Sequence, residues 1–158
     1  MTKKFNLYLG KAGQLAAMSF FLMRGWNVAT PEVDVGDDIF VVDDKMGFFS
    51  RIQVKTAQAI ERGLGYSAQF NLPLRQVETS TDPEIYYVFM VCLNNHWSDI
   101  IIIPRQILDG FYSEQRIGSV YGKNLMLYFS FQDGKVLCSK TDFTEFRSNF
   151  SDFPIIQH

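Results

Sequence analysis

The sequence predicts an α/β fold in which one long helix precedes a series of paired strands. Residues 10–24 are rich in Leu, Ala and Met, which are good helix formers, and Gly25 follows as a helix stop. Residues 37–44 and 48–56 carry the apolar runs and period-two alternation of strands. Two further pairs of apolar segments, each folded around a turn, occupy much of the second half of the chain.

The predicted first helix is apolar on nearly every side, so we expect it to be largely buried. Gln14 shares a helical face with Ala17, Met18 and Phe21. A buried glutamine needs a hydrogen-bond partner. Gln14 is therefore either a core residue bonded to backbone or a side chain that points into a polar cleft.

The next segment predicts an antiparallel hairpin that closes near Asp44–Gly47. If its turn centres between Lys45 and Met46, Asp38 lies opposite Gln53 and Phe40 lies opposite Arg51. Side chains alternate between the two faces of a strand, so Asp38, Gln53 and Lys55 then share one face. A shorter strand within residues 26–33, interrupted by Pro31, precedes the hairpin.

The remaining elements follow from turn and capping signals. Residues 76–84 are polar with one proline and predict an exposed loop. The other predicted elements are a hairpin over 85–104 with a turn near Asn94–Asn95, a short helix opened by Pro104, a hairpin over 124–139 with an Asp133–Gly134 turn, and a final short helix over 142–150 capped by Asp142 and Glu145.

The composition fits one domain spanning residues 1–158, with 47% hydrophobic and 20% charged residues. The net charge of −2 provides no general attraction for nucleic acid, so phosphate binding would require a local basic patch. Cys92 and Cys138 lie in apolar runs and are expected to be buried thiols, which fits a reducing, cytoplasmic location. The first residues lack a signal core and no apolar run reaches membrane-spanning length.

The polar groups on the shared face of the hairpin are of the kinds that bind metal ions and phosphates. A carboxylate from Asp38 and a second oxygen ligand can hold a hard divalent cation, and the carbonyl of Val54 is a further candidate oxygen. A neighbouring lysine, Lys55, can orient the attacking water and offset negative charge in the transition state. These are minimal requirements for metal-assisted hydrolysis of a phosphodiester.

In this order, the helix with Gln14, the segment around Asp38 and the Gln53-x-Lys55 strand resemble the PD-(D/E)XK nuclease superfamily over about residues 10–58. The resemblance implies a restriction-endonuclease-like αβββαβ core, with a central mixed sheet flanked by helices. It also implies that Asp38 is the metal-binding aspartate and Lys55 the catalytic lysine. Gln53 stands where the family usually has Asp or Glu, and Gln14 where many members carry a helical glutamate. The Q-x-K form is similar to that of some homing endonucleases.

The expected cofactor is Mg²⁺ or Mn²⁺, held by Asp38, Gln53 and the Val54 carbonyl. With glutamines at two positions where acids are common, Asp38 is the only carboxylate firmly in the motif, so we expect weaker metal binding than in a three-acid site. Asp34 and Asp37 are close enough in sequence to assist.

The resemblance implies a metal-dependent DNA endonuclease. The alternative is a catalytically weak or inactive nuclease-fold domain that binds nucleic acid or a protein partner. DNA is the expected partner, and a homodimer, formed through the edges of the long apolar strands, would suit cleavage of two strands. The candidate positive surface consists of Lys3, Lys4, Lys11, Arg24, Arg51 and Lys55.

Overall fold

The computed structural model describes residues 2–158, which form three α-helices and eleven strands. The helices are α1 (Lys3–Met23), α2 (Leu74–Glu78) and α3 (Arg105–Gln115). The strands are β1 (Asn27–Ala29), β2 (Ile39–Val42), β3 (Phe49–Gln58), β4 (Ile60–Arg62), β5 (Gly65–Pro73), β6 (Ile85–Leu93), β7 (His96–Pro104), β8 (Ser119–Tyr121), β9 (Asn124–Gln132), β10 (Lys135–Cys138) and β11 (Thr141–Asp142).

The first sheet is mixed and has the order β1-β2-β3-β6-β7. Strands β3 and β6 pair in parallel, whereas the other neighbours pair antiparallel. The predicted αβββαβ order is present as α1, β1 to β3, α2 and β6, with β4 and β5 inserted after β3. The prediction of an α/β fold with a central mixed sheet flanked by helices is confirmed.

A second, antiparallel sheet has the order β11-β10-β9-β5-β4, and β8 also pairs with β9. The 124–139 hairpin was expected, and its Asp133–Gly134 turn has positive φ at both residues (52° and 75°), as a tight hairpin turn requires. The long pairing of β5 with β9 was not expected, because nothing local in the sequence specifies it.

Two apolar clusters lie on the two faces of the first sheet. Val88 and Met90 of β6 face the cluster that contains Ala17 and Phe21 of α1. Phe89, which comes between them, faces the cluster shared with the second sheet, α2 and α3. Covering both faces buries β6 along nearly its whole length, which explains its continuous apolar sequence.

Helix α1 begins earlier than expected and is buried on one face only. The Thr2 hydroxyl caps it by accepting a hydrogen bond from the N–H of Phe5 at 3.3 Å. Leu15 and Leu22 are each more than half exposed, so the expectation of a largely buried helix was wrong. No helix within residues 2–158 is long and apolar enough to cross a membrane.

Glycine at position 13 sets how closely α1 approaches β3. A Cβ atom at Gly13 would overlap Cγ2 of Thr56 and would also crowd the Trp97 ring. A glycine inside a helix costs about 1 kcal/mol relative to alanine. At Gly13 that cost is offset by close packing, which brings the following residue, Gln14, to the junction of β2 and β3.

Two segments differ from the predicted secondary structure. In place of a helix over 142–150, the chain forms a single 3-10 turn, Thr144–Phe146. The Asp142 carboxylate accepts a hydrogen bond from the N–H of Thr144 at 2.8 Å. This bond closes a local turn in place of capping the expected helix.

The first residues of the expected 76–84 loop belong to α2. Cys92 and Cys138 are buried free thiols, as predicted.

Arg105 joins α3 to α2 and to the start of β6. Its side chain is 4% exposed and makes a two-pronged ion pair with Glu84, Nε to Oε1 at 2.6 Å and Nη2 to Oε2 at 2.8 Å. Nη1 donates to the Val77 carbonyl at 2.5 Å and lies 3.5 Å from Oδ2 of Asp109. We call these four residues the Arg105 cluster.

Candidate active site at the start of β2

The β2–β3 hairpin brings together the residues that the sequence singled out. Ile39 pairs with Ile52 and Phe40 with Arg51, which is the predicted register. Asp38 lies one residue before β2, and its N–H donates to the carbonyl of Ile52 at 2.9 Å. We call the group formed by Gln14, Asp38, Gln53, Val54 and Lys55 the Asp38 cleft.

The Asp38 carboxylate is held by two neutral donors from β3. Its Oδ2 accepts from the N–H of Val54 at 2.6 Å and from Nε2 of Gln53. The same Gln53 nitrogen lies 3.3 Å from the carbonyl oxygen of Val54. One amide nitrogen is therefore in reach of two oxygens that could both bind a cation.

The orientation of Gln53 is fixed from the other side by Gln76 of α2. Gln76 Nε2 donates to Oε1 of Gln53 at 3.3 Å and to the carbonyl of Gly36 at 2.8 Å. The buried Tyr87 donates its hydroxyl to Oε1 of Gln76 at 3.1 Å. Sequence reasoning missed Gln76 and Tyr87, because residue 76 was placed in an exposed loop and no local pattern reveals a partner 23 residues away.

Gln14 reaches the cleft but contacts the backbone of Asp38, not its carboxylate. Its Nε2 donates to the Asp38 carbonyl at 2.9 Å, and its Oε1 accepts from Nζ of Lys11 at 3.1 Å. Gln14 therefore bonds to backbone at the cleft, but it is only half-buried and is not the core residue of the first alternative. This hydrogen bond from Gln14 helps to fix the backbone just before β2.

Lys55 lies beside the carboxylate in a half-buried position. Its ammonium group makes no hydrogen bond and no ion pair within 4 Å to any residue of 2–158. Burial lowers the pKa of the Lys55 ammonium, against the opposite influence of the Asp38 and Asp34 charges. Burial also raises the pKa of Asp38, and this outweighs the lowering effects of the Val54 N–H and Lys55.

The neighbouring aspartates do not add ligands to the cleft. Asp37 is buried and ion-paired with Arg51, Nε to Oδ2 at 2.8 Å, so it is not available to assist Asp38. Asp34 accepts from the N–H of Gly36 at 3.0 Å in an exposed turn. In the described part of the chain, no three His, Cys, Asp or Glu side chains are grouped as a metal site would require.

The expected positive surface is only partly present. Arg51 is neutralised by Asp37, and Arg24 donates to the Phe153 carbonyl at 2.7 Å while its guanidinium lies over the Phe150 ring. Lys11 and Lys55 remain close to the cleft. The strand edge considered for dimerisation is partly covered, since Arg147 forms a bridge with Ile101 of β7.

The fold of the chain is similar to that of a known protein. Among solved structures, a bacterial homing endonuclease, I-Ssp6803I, is 23% identical in sequence at a TM-score of 0.48, over 80% of this chain and 75% of that chain. The chain matches no protein-family model. It also matches no curated protein sequence.

Proposed function

We propose that the protein is a metal-dependent DNA endonuclease of the PD-(D/E)XK type, with Gln53 and Lys55 as a Q-x-K variant of the motif. The observation that supports this most directly is the position of the Gln53 amide nitrogen between Oδ2 of Asp38 and the carbonyl of Val54. A cation needs the same two oxygens that this N–H group now contacts.

The residues of the cleft fit a hard divalent cation. Rotation of the Gln53 amide exchanges its nitrogen for its oxygen, which are alike in size and shape, and breaks the hydrogen bond that Gln53 Oε1 accepts from Gln76. Asp38, Gln53 and Val54 would then present three oxygens and a single negative charge to Mg²⁺ or Mn²⁺. When bound, such an ion stabilises charge on a phosphate and lowers the pKa of a water molecule.

The chain's own groups supply the remaining chemistry. In hydrolysis, the oxygen of a water molecule forms a bond to phosphorus and the bond to the leaving oxygen breaks, with a proton passing to that oxygen. Lys55 carries a charge that no neighbour within 4 Å compensates, so it can donate to a non-bridging phosphate oxygen and orient the water. Gln14 holds the backbone of Asp38 in place.

One observation favours the alternative of a catalytically inactive nuclease-fold domain that binds nucleic acid or a protein partner. Oδ2 of Asp38 already accepts two hydrogen bonds from neutral donors. A cation must displace one of them, and the cleft offers only one carboxylate to compensate for that loss.

Plasmid cleavage by wild type and Lys55→Ala separates the two functions. The proposed nuclease nicks supercoiled DNA in Mg²⁺ or Mn²⁺, and Lys55→Ala lowers the rate by about 100-fold or more. Lys140→Ala removes an exposed lysine elsewhere and serves as the matched control, with thermal melting to verify the fold of each variant.

The outcomes are distinct. Absence of cleavage by wild type in either metal, with DNA still retained, would establish the binding function. Undiminished cleavage by Lys55→Ala would place the active site somewhere other than the Asp38 cleft.

A further inference from the structure

The outer side of α1 carries a line of exposed residues that recur alternately three and four positions apart. They are Phe5, Tyr8, Ala12, Leu15, Ser19 and Leu22. This spacing sets them along one side of the helix over about 26 Å, at a rise of about 1.5 Å per residue. Tyr8, Leu15 and Leu22 are each more than half exposed. We call this line of six residues the α1 stripe.

The α1 stripe is separate from the parts of α1 that the fold and the cleft use. The buried residues of the helix lie on its opposite side and are Leu9, Gly13, Ala17 and Phe21. Gln14, which lies between these two sides, belongs to the Asp38 cleft. A continuous exposed apolar surface of this kind is typical of a contact with another molecule.

Large and small side chains alternate along the middle of the stripe, which fits a pair of identical helices that run in opposite directions. When Ala12 of each copy lies opposite Leu15 of the other, the same register places Tyr8 opposite Ser19. Each large side chain then faces a small one, so the two helices can approach closely and interlock. A parallel pair would match Leu15 with Leu15 and Ala12 with Ala12, and crowded layers would alternate with loosely filled ones.

The two ends of the stripe match each other in shape and in charge. In the antiparallel register, Phe5 of one copy lies opposite Leu22 of the other. A depression of about 330 Å³ adjoins Leu22, and its lining includes the exposed Asp44. Lys4 is exposed as well, and neither Lys4 nor Asp44 has an ion-pair partner within 4 Å in residues 2–158. The depression can therefore take the phenyl ring, with a lysine brought close to a free carboxylate.

The charges of α1 also favour opposite directions. All its charged side chains are lysines, and two of the three, Lys3 and Lys4, lie in the first turn. A parallel pair would bring the first-turn lysines of both copies together, and like charges repel. An antiparallel pair separates them by the length of the stripe.

We propose that a second copy of this chain docks on the α1 stripe, in an antiparallel contact of α1 with α1 whose two-fold axis passes between Ala12 and Leu15. The same surface serves both copies, as a two-fold interface requires. This surface differs from the strand edges that the sequence suggested for dimerisation, and the inference does not depend on the proposed nuclease function.

A membrane surface is the other occupant that a basic helix with exposed apolar residues could take. The strength of membrane binding increases with the apolar area that is buried, and Ala12 and Ser19 add little to that area. In a contact between helices, by contrast, these small residues leave the room that Leu15 and Tyr8 of the second copy need. The alternation of sizes therefore favours a second copy.

Sedimentation equilibrium of the full chain over a range of concentrations tests the proposal. Wild type should form dimers, and Ala12→Lys and Leu15→Asp should each weaken the dimer by about 10-fold or more, because each sets an unpaired charge against apolar side chains at two places. An equal mixture of the two variants should dimerise more strongly than either alone. The mixed dimer pairs the new lysine with the new aspartate at one place and keeps the native contact of Ala12 with Leu15 at the other.

Leu64→Asp is the matched control, since Leu64 is 88% exposed in the turn between β4 and β5 and should leave the dimer unchanged. Thermal melting verifies the fold of each variant. Weakening by both α1 variants with recovery in their mixture supports the proposal. A wild type that stays monomeric at every concentration overturns it, and so does an unchanged dimer in Leu15→Asp. A mixture that dimerises no better than its components contradicts the antiparallel register. A monomeric wild type that sediments with phosphatidylserine vesicles would assign the stripe to a membrane surface instead.

Discussion

The Asp38 cleft and the Arg105 cluster are both polar groups built into the fold, and they are compensated in opposite ways. Every nitrogen of the Arg105 guanidinium has an acceptor within the chain, two of them on the carboxylate of Glu84. Asp38 has only an amide and a backbone N–H as direct partners, and Lys55 has none within 4 Å among the described residues. A charge group that is complete within the chain stabilises the fold, whereas an incomplete one can take a ligand.

Removing Glu84 should have the largest effect on stability. Glu84→Gln leaves the buried guanidinium of Arg105 without its main counter-charge, and loss of one partner of a buried pair costs about 3–5 kcal/mol. Urea denaturation at pH 7 measures the free energy of unfolding. A loss below about 1 kcal/mol would show that the cluster is no more important than an ordinary surface pair.

The contribution of Glu84 should also depend on pH in a defined direction. Its hydrogen bonds and ion pair with Arg105 hold the pKa of the Glu84 carboxyl below its usual value in the folded chain. The stabilisation is therefore fully present above the unfolded pKa of about 4.3 and is lost as pH falls through the lower folded pKa. The difference in unfolding free energy between wild type and Glu84→Gln should shrink from pH 7 to pH 3; a constant difference would contradict this.

Arg105→Met should cost less, about 1–2 kcal/mol. Glu84 and Asp109 have side chains that are 27% and 33% exposed, so their carboxylates can be rehydrated when the guanidinium is gone. The remaining loss comes from the Val77 carbonyl, which then lacks its donor. Denaturant titration of Arg105→Met and Glu84→Gln side by side measures both losses of unfolding free energy. Equal losses for the two variants would contradict the expectation that Arg105→Met costs less.

The smallest effect on stability is expected at Asp38 itself. Asp38→Asn breaks no ion pair within 4 Å in residues 2–158 and should change the unfolding free energy by about 1 kcal/mol or less. Asp37→Asn is the matched control one residue earlier, and it should cost about 2–3 kcal/mol because Arg51 loses its partner.

Metal binding should be lost in Asp38→Asn and kept in Asp37→Asn, which is the reverse of their order of effect on stability. Isothermal titration with Mn²⁺ should give binding heat for wild type and Asp37→Asn and none for Asp38→Asn. Equal heats for wild type and Asp38→Asn would make Asp38 purely structural.

Local sequence patterns were enough to predict the β2–β3 hairpin that carries the Asp38 cleft. The alternation in β3 and the short turn before it fix the register of Phe40 with Arg51, and therefore the side on which Asp38 and Gln53 meet. What the patterns could not supply were contacts between distant segments. The link from Tyr87 through Gln76 to Gln53 joins three separate elements, and the ion pair of Asp37 with Arg51 depends on side-chain reach as well as register.

Two predictions of helices were wrong, for different reasons. Helix α1 was expected to be largely buried because its composition is apolar, but only one of its faces is buried. The predicted final helix has a capping signal, yet Asp142 satisfies its carboxylate by closing a turn with Thr144. Tertiary packing decided the exposure of Leu15, whereas a local turn at Asp142 competed with the expected helix.

The interleaving of the two sheets along the chain has a consequence for synthesis on the ribosome. Strand β5 must wait for β9, since Phe70 pairs with Leu127 about 60 residues later. At translation rates of about 5–20 residues per second, β5 stays without this partner strand for roughly 3–12 s. Since pairings distant in sequence also form slowly, the nascent chain passes through an interval in which β5 is open to self-association or to a chaperone.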